Sequence, residues 1–304
     1  MKIVIIGATG FIGKMLFTVL LSEDHDITVI TRDVEYAREN LGDNALFFAW
    51  DGKDEAILAE AFKGARAIIN LAGENLSAKP WTEKQKQKIL ESRIATTNAI
   101  VNVINGMPQK PEVLLQASAI GYYGSSLTTV LDEDSPPGNG FLAKVTKQWE
   151  TEALKLDNDV RLILLRSGIV LGPNGGALSS MAKPFKLGLG GHAGSGKQWL
   201  SWIHLDDEVE AIRFLLEKKS AKGVFNLTAP QPVRMKTFSK ELAKVMKKNS
   251  WMHIPSFIIK ILMGSMGREM ILSSRKVLPK RLLDEGFKFR FNDLRMALLS
   301  IYHF

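Results

Sequence analysis

The sequence predicts an α/β protein: a doubly wound parallel sheet followed by a smaller, mostly helical C-terminal lobe. Two observations predict the sheet and a third predicts the lobe. Short apolar runs alternate with longer helix-like stretches through the first half of the 304 residues, the pattern of parallel strands covered on both faces. The first run, in "KIVIIGATGFIGK", ends in a glycine array that opens a helix. Charge then divides the chain: residues 231–304 carry 15 Lys and Arg against 5 Asp and Glu, and the remainder 25 against 27.

The elements follow in order. "KIVIIG" reads as the first strand and "GKMLFTVLLSE" as its helix; "DITVITR", "ALFFAW", "ARAIINLAG", "EVLLQASA" and "VRLILLRSGIVLG" read as strands two to six. Each is β-branched or apolar nearly throughout, as strands buried on both faces must be. Between the fourth and fifth, "TEKQKQKILESRIATTNAIVNVIN" is one long amphipathic helix ended by Gly106 and Pro108. The glycine-rich stretch from Pro173 to about residue 204 reads as irregular loop over a site. "DDEVEAIRFLLEKK" is a helix with Asp207 as cap or first-turn acid. "GVFNLTAP" returns to strand, and "KTFSKELAKVMKK" and "PSFIIKILMG" are helices. The expected division is residues 1–172 as a dinucleotide-binding domain to which about 205–230 return. Residues 173–204 and 231–304 then form substrate-side loops and a small basic lobe.

Composition narrows the function. With 45% hydrophobic and 24% charged residues, the chain can bury a large core and reads as an ordinary soluble protein. No apolar run reaches the roughly 18 residues of a membrane span, and the N-terminal glycines argue against a signal peptide. The count of zero cysteines excludes disulfides, thiolate metal sites and a cysteine nucleophile, and fits a cytoplasmic location. No His or carboxylate cluster has metal-ligand spacing, so no metal is expected. The net charge of +8 sits in the C-terminal lobe, which could attract nucleic acid, acidic lipid or phosphorylated molecules. No basic–aromatic interleave accompanies it, so a solvated surface is the expectation, with neither nucleic acid nor membrane as partner.

Gly7, Gly10 and Gly13 form a G-x-x-G-x-x-G array in strand–turn–helix context, the Rossmann-type dinucleotide fingerprint. The first glycine permits the turn, the second lets backbone approach a pyrophosphate, and the third lets helix and strand pack closely. Thr9, Phe11 and Ile12 fill the turn, whose N–H groups and positive helix end hold phosphate. At the end of the second strand stand Thr31 and Arg32. A guanidinium there suits a 2′-phosphate, which a carboxylate would repel, so NADP(H) is the expected cofactor, with Arg38 assisting. Asp33 leaves NAD(H) as the lesser alternative. Gly191, Gly196 and Lys197 mimic a triphosphate-binding loop, but Gln198 stands where Ser or Thr must bind magnesium, so that motif is rejected.

"GATGFIG", "NLAG" (70–73), "SAIGYYG" (118–124) and "LRSGIVLGP" (165–173) together resemble the extended short-chain dehydrogenase/reductases. "ENLSAKPWT", "ESRIATT", "GKQWLSWIHLDD" and "VLPKRLLDEGFKF" are similar to an atypical branch of the NAD-dependent epimerase/dehydratase superfamily, the epimerase family proteins. The resemblance spans nearly the whole chain. It implies that Asp51 lies near the adenine, that Leu71, Ala72 and Gly73 follow the fourth strand beside the cofactor, and that Arg93 reaches a cofactor or substrate phosphate.

The resemblance also implies a Tyr and, four residues on, a Lys on one helical face, the proton donor and the group that binds the ribose. In "FLAKVTKQWE" those positions hold Phe141 and Val145, which can neither give a proton nor carry charge. Lys144, about 60° from the face of Phe141, is the expected replacement for the lysine. Tyr122 or Tyr123 is the expected proton donor, and Ser118 the group that positions substrate oxygen, although the usual serine position falls on Ala119. His204 is a further acid–base candidate, with a structural role the alternative.

The resulting expectation is an NADP(H)-dependent oxidoreductase or epimerase-like enzyme, monomeric or homodimeric. Its substrate would be a small molecule, phosphorylated or a nucleotide sugar. The alternative is a non-catalytic NADPH-binding sensor or regulatory protein.

Overall fold

The computed structural model describes residues 1–303. Seven parallel strands form the central sheet: β1 (Lys2–Ile6), β2 (Asp26–Thr31), β3 (Leu46–Ala49), β4 (Ala67–Asn70), β5 (Val113–Ala119), β6 (Arg161–Ser167) and β7 (Gly223–Leu227). Their order across the sheet is β7-β6-β5-β4-β1-β2-β3, with the reversal between β1 and β4 that creates a crevice at the strands' C-terminal ends. The helices are α1 (Phe11–Ser22), α2 (Val34–Leu41), α3 (Glu55–Phe62), α4 (Glu83–Gly106), α5 (Phe141–Ala153), α6 (Gly176–Lys186), α7 (Leu205–Glu217), α8 (Met235–Val245), α9 (Ser256–Met266), α10 (Lys280–Asp284) and α11 (Leu294–Tyr302).

Strand alternation sorts the core into two layers. Ile3, Ile5, Ile69, Leu115 and Leu165 meet Leu16 and Leu20 of α1 and Ile212 and Leu215 of α7 on one face. Val4, Ile6, Ile68 and Leu114 meet Leu58 and Phe62 of α3 and Ile100 and Ile104 of α4 on the other. Each such side chain, withdrawn fully from water, stabilises the fold by about 1.5–3 kcal/mol. Leu282, Phe287 and Phe289, from far along the chain, also pack into the first layer. Thr82 caps the long helix α4 by accepting from the Gln85 amide, which orients the α4 start beside the crevice.

The stretch after Pro173 is more ordered than expected. Its helix α6 buries Leu178, Ala182 and Phe185, spaced as one helical face. Gly175, Gly176 and Pro184 punctuate the sequence there, but Pro184 stands in the last turn, where the helix is ending anyway. Helix α11 had no counterpart in the sequence reading; Asp293 caps it by accepting from the Met296 amide, and Leu294, Ala297 and Leu298 pack on α8 residues Phe238 and Leu242. The rejected phosphate-loop motif falls on a short strand, 191–193, and a turn with no helix after Lys197. Among the described residues no helix is long and apolar enough to cross a membrane, and no cluster is arranged to hold a metal ion.

Candidate active site

The site is built where β1, β4, β5 and β6 end. At β1 the chain turns through Gly7, whose φ of +91° suits glycine. A Cβ on Gly7 would lie 2.9 Å from the carbonyl carbon of Leu71, and one on Gly13 would lie 2.2 Å from the Gly7 oxygen. Both side-chain positions are therefore filled by neighbouring backbone. Gly10 closes the turn, its N–H donating to the Gly7 oxygen at 3.0 Å. It caps α1 without any side-chain acceptor, and no acid stands in the first turn. The leading N–H groups of α1 are thus left for an anion, which fits a dinucleotide pyrophosphate. Phe11 and Ile12 turn their side chains to the core, and Phe11 is enclosed by Gly172, Gly175 and Gly176. Those two residues can meet a ligand chiefly through backbone, and Phe11 ties the fingerprint turn to the start of α6.

At β2 the three candidate groups take different positions. The Thr31 hydroxyl donates to the Asp33 carbonyl at 3.2 Å. Asp33 is the cap of α2, accepting from the Tyr36 amide at 2.9 Å, so its carboxylate is engaged. Arg38 pairs with Asp43 at 2.5 Å and lies 5.0 Å over the Phe47 ring, away from an assisting role. Arg32 is exposed, and its guanidinium makes no ion pair with any described residue. The Glu74 carboxyl is held below its usual range first by the hydrogen bond from Gln85, with smaller help from the charges of Lys88 and Arg32.

Asp51 closes an exposed turn, accepting from the Lys53 amide at 2.9 Å next to Gly52 at φ +93°. At β4 the buried Asn70 side chain accepts from the Ala72 amide at 3.1 Å and donates to Gln116 at 3.0 Å, which fixes the bend at Leu71, Ala72 and Gly73. Arg93 of α4 lies against this bend: a Cβ on Gly73 would be 3.1 Å from its Cζ. One nitrogen, Nη1, donates to the carbonyls of Glu74 and Ile89, and the guanidinium sits 5.0 Å over the Trp149 ring. Its other nitrogens, Nε and Nη2, have no partner among the described residues. Burial pushes the Arg93 guanidinium down to about 10, still a cation at neutral pH.

The α5 end is closed. Phe141 meets Trp81 edge-on at 5.0 Å. Val145 is 2% exposed in an apolar cluster with Trp81, Ile89 and Leu142. The face where the resemblance would place a Tyr–Lys pair is therefore sealed by packing as well as chemically silent. Lys144 does not take over: it shares the solvent stripe of α5 with Lys147, Gln148 and Thr151, at i, i+3, i+4 and i+7.

The hydroxyl candidates belong to a buried polar row. Alternation along the strands puts Asn70, Gln116, Ser118, Arg166 and Asn226 on one sheet face, where register pairs Asn70 with Gln116, Ser118 with Arg166 and Arg166 with Asn226. Ser118 donates to Glu150 of α5 at 2.5 Å. Arg166 reaches both oxygens of Glu150, at 2.8 and 2.7 Å, and donates to the Tyr123 hydroxyl at 2.8 Å. Tyr123 in turn donates to Asn226 at 2.7 Å. Tyr123 is 0% exposed, and burial pushes its phenol up to about 12. Ser118 and Tyr123 are thus committed inside the protein, a structural use of groups that sequence alone suggested for substrate. Tyr122 is half-buried with its ring 3.4 Å from the Arg166 guanidinium. It lines an open groove of about 1200 Å³ along β6, with Leu164 and Arg281. His204 caps α7, accepting from the Asp206 amide at 3.1 Å, and stacks on Phe291; its role is structural. Asp207, in the first turn, accepts from the amides of Arg290 and Phe291.

Sequence reasoning missed Glu150, Arg166, Asn226 and Glu269. Glu269 accepts from the Phe141 and Leu142 amides at 2.8 Å each, so a carboxylate from the C-terminal region fills the N-terminus of α5.

Comparisons with known proteins agree with this fold. The profile of the NAD dependent epimerase/dehydratase family matches residues 3–228, and that of a domain of unknown function, DUF1731, matches residues 254–301. The chain is 42% identical over 308 residues to the chloroplastic epimerase family protein SDR39U1 homolog of Arabidopsis thaliana, covering 99% of this chain and 86% of that one. It is 37% identical over 303 residues to epimerase family protein YfhF of Bacillus subtilis, covering 99% and 98%. The crystal structure of human epimerase family protein SDR39U1 with NADPH superimposes with a TM-score of 0.89 at 32% identity, covering 99% of each chain. By fold, by fingerprint and by these matches, the chain belongs to the NAD dependent epimerase/dehydratase family.

Proposed function

We propose that the chain binds NADP(H) in the crevice between β1 and β4 and is an oxidoreductase or epimerase-like enzyme acting on a small molecule. Its proton handling would not use positions 141 and 145. The observation that carries the cofactor reading is the pairing of an open glycine turn with an unengaged Arg32 beside a capped Asp33. The N–H groups of Phe11, Ile12 and Gly13 would hold the pyrophosphate, Arg32 the 2′-phosphate, and the turn at Asp51 and Gly52 the adenine side. Leu71 to Gly73 would flank the cofactor through backbone, and Arg93 would direct its two unpartnered nitrogens past Gly73 toward an anionic or carbonyl oxygen. That the human relative was crystallised with NADPH supports the same assignment. When bound, the nicotinamide supplies hydride chemistry. Around it, the apolar cluster of Trp81, Phe141 and Val145 would exclude water; Tyr122, on the groove along β6, is the phenol of the "YY" pair not already donating within the protein.

A second reading, a non-catalytic NADPH sensor, is favoured by the commitment of Ser118 and Tyr123 to the buried row. One experiment separates the two: single-turnover mixing of the NADPH-loaded protein with a broad panel of carbonyl compounds and nucleotide sugars. Oxidation that disappears in Tyr122→Phe and survives in Phe141→Ala is the expected result. Tight NADPH binding without turnover on any compound leaves the sensor reading.

A further inference from the structure

Beyond the crevice, the C-terminal lobe carries an apolar surface that no described residue covers. Helix α9 buries only Ile259 among its 11 residues. Phe257, Ile261 and Leu262 are 62%, 76% and 77% exposed, a line of large side chains in water along one helix. The surface continues through backbone pairing. Residues 252–254 lie parallel to 191–193, Trp251 donates its amide to Gly190 and its indole N–H to Gly188, and Leu187 and Leu189 flank those glycines. Trp251, Leu187 and Leu189 are themselves 66%, 75% and 45% exposed.

The charge around this surface has one sign. No Asp or Glu occurs from residue 160 to 205, nor from 242 to 268, the two segments that supply it. Lys183 and Lys186 precede Leu187, Lys247 and Lys248 precede Trp251, and Lys260 stands between Phe257 and Ile261; all five are exposed. None pairs with a carboxylate of any described residue. A second copy of the chain would bring identical lysines face to face, which costs free energy. An anionic bilayer surface instead offers apolar depth for the side chains and negative charge for their rim.

We propose that this lobe docks on the surface of anionic membranes, with α9 lying in the interface and Trp251 and Leu187 inserted beside it. This is attachment at the headgroup level, different in kind from a membrane span. It gives the basic C-terminal region a ligand class of its own, independent of the cofactor site.

The test is sedimentation of the full chain with vesicles of phosphatidylcholine alone and of phosphatidylcholine with phosphatidylglycerol in equal amounts. The expected result is partitioning onto the anionic vesicles that weakens with salt, together with a blue shift of tryptophan emission lost in Trp251→Phe. At about 1 kcal/mol per lysine, a Lys247→Ala and Lys248→Ala double variant should bind roughly 30-fold more weakly. Ile261→Asp with Leu262→Asp should lose binding at least about tenfold, while its melting temperature in solution stays unchanged because both positions are exposed. No partitioning onto anionic vesicles, equal partitioning onto neutral ones, or binding indifferent to the Asp pair overturns the proposal. So does a concentration-dependent dimer, seen by sedimentation velocity, that the Asp pair dissolves.

Discussion

At the start of α1 the crevice is lined by backbone that side chains are forbidden to cover, whereas beside α5 it is lined by side chains that leave little uncommitted. Gly7 and Gly13 have no room for a Cβ, and the first amides of α1 have no side-chain acceptor. At α5 the corresponding amides are filled by Glu269, and the Ser118 and Tyr123 hydroxyls are filled by Glu150, Arg166 and Asn226. One end keeps polar backbone unsatisfied for a ligand; the other satisfies its polar groups internally and gains rigidity. This division explains how a cofactor-binding turn can persist in a chain without a Tyr–Lys pair at positions 141 and 145.

The largest effect should come from breaking the closed end. Glu150→Ala leaves Arg166 buried, at 3% exposure, without its carboxylate, and should destabilise the fold by about 3–5 kcal/mol. Urea unfolding measures that loss. Because the damage lies at the α5 end, NADPH affinity of the fraction still folded should change less than about threefold. A parallel collapse of affinity would show that the two ends are one cooperative unit.

A pH experiment probes the opposite face of β6, where α7 packs. Glu208 on α7 is 0% exposed, accepts from Ser167 at 2.5 Å and leaves Oε2 without a partner. Burial pushes its carboxyl from the ordinary 4.5 up to about 8. In that window the folded chain holds a proton that the unfolded chain has released. Its contribution is therefore fully present below about pH 4.5 and is lost as pH rises toward 8. Glu208→Gln stays neutral throughout, so it should match the parent near pH 5 and exceed it by about 2–4 kcal/mol near pH 9. Melting of both proteins across that range checks the difference in slope.

How much of this was legible in the sequence depended on whether a residue acts alone or through a distant partner. The glycine turn could be read because its constraint is local: a strand, a tight turn and a helix start within 13 residues. Arg166 was legible in principle. A guanidinium in the otherwise apolar run "VRLILLRSG" must be paired if buried, and Glu150 shares the face of Leu142, Val145 and Trp149 in α5. What the sequence could not supply was the partnering itself, since Asn226 and Glu269 lie 60 or more residues away. Motif position points Tyr123 and Ser118 to substrate; register across β5, β6 and β7 gives their hydroxyls partners inside the protein. Helix α6 was hidden by Gly175, Gly176 and Pro184 although its apolar spacing was present throughout.

At the open end the proposed discriminating residue is Arg32. Asp33 is occupied as the α2 cap and Arg38 is held by Asp43, whereas Arg32 makes no ion pair among the described residues. Arg32→Ala should weaken NADPH binding about 10- to 150-fold, the range of one charge-assisted bond at about 1.5–3 kcal/mol, and leave NADH binding within twofold. Fluorescence titration with both cofactors reads the ratio. Equal losses for the two would place Arg32 on the pyrophosphate or in the fold.

The smallest effect is expected at Lys144, and it bears on the same comparison. A replacement for the missing lysine would have to face the crevice, yet residues 144, 147, 148 and 151 form the solvent side of α5, while 142, 145, 146, 149, 150 and 153 form its buried side. Turning Lys144 inward would require rotating α5 against α4, and the Val145–Ile89–Trp81 cluster and the two amide bonds to Glu269 hold that rotation. Lys144→Ala should therefore change stability by no more than about 0.5 kcal/mol and NADPH affinity by less than about twofold. A tenfold loss of affinity, worth about 1.4 kcal/mol, would mean that α5 turns when cofactor binds and that the closed end opens to receive it.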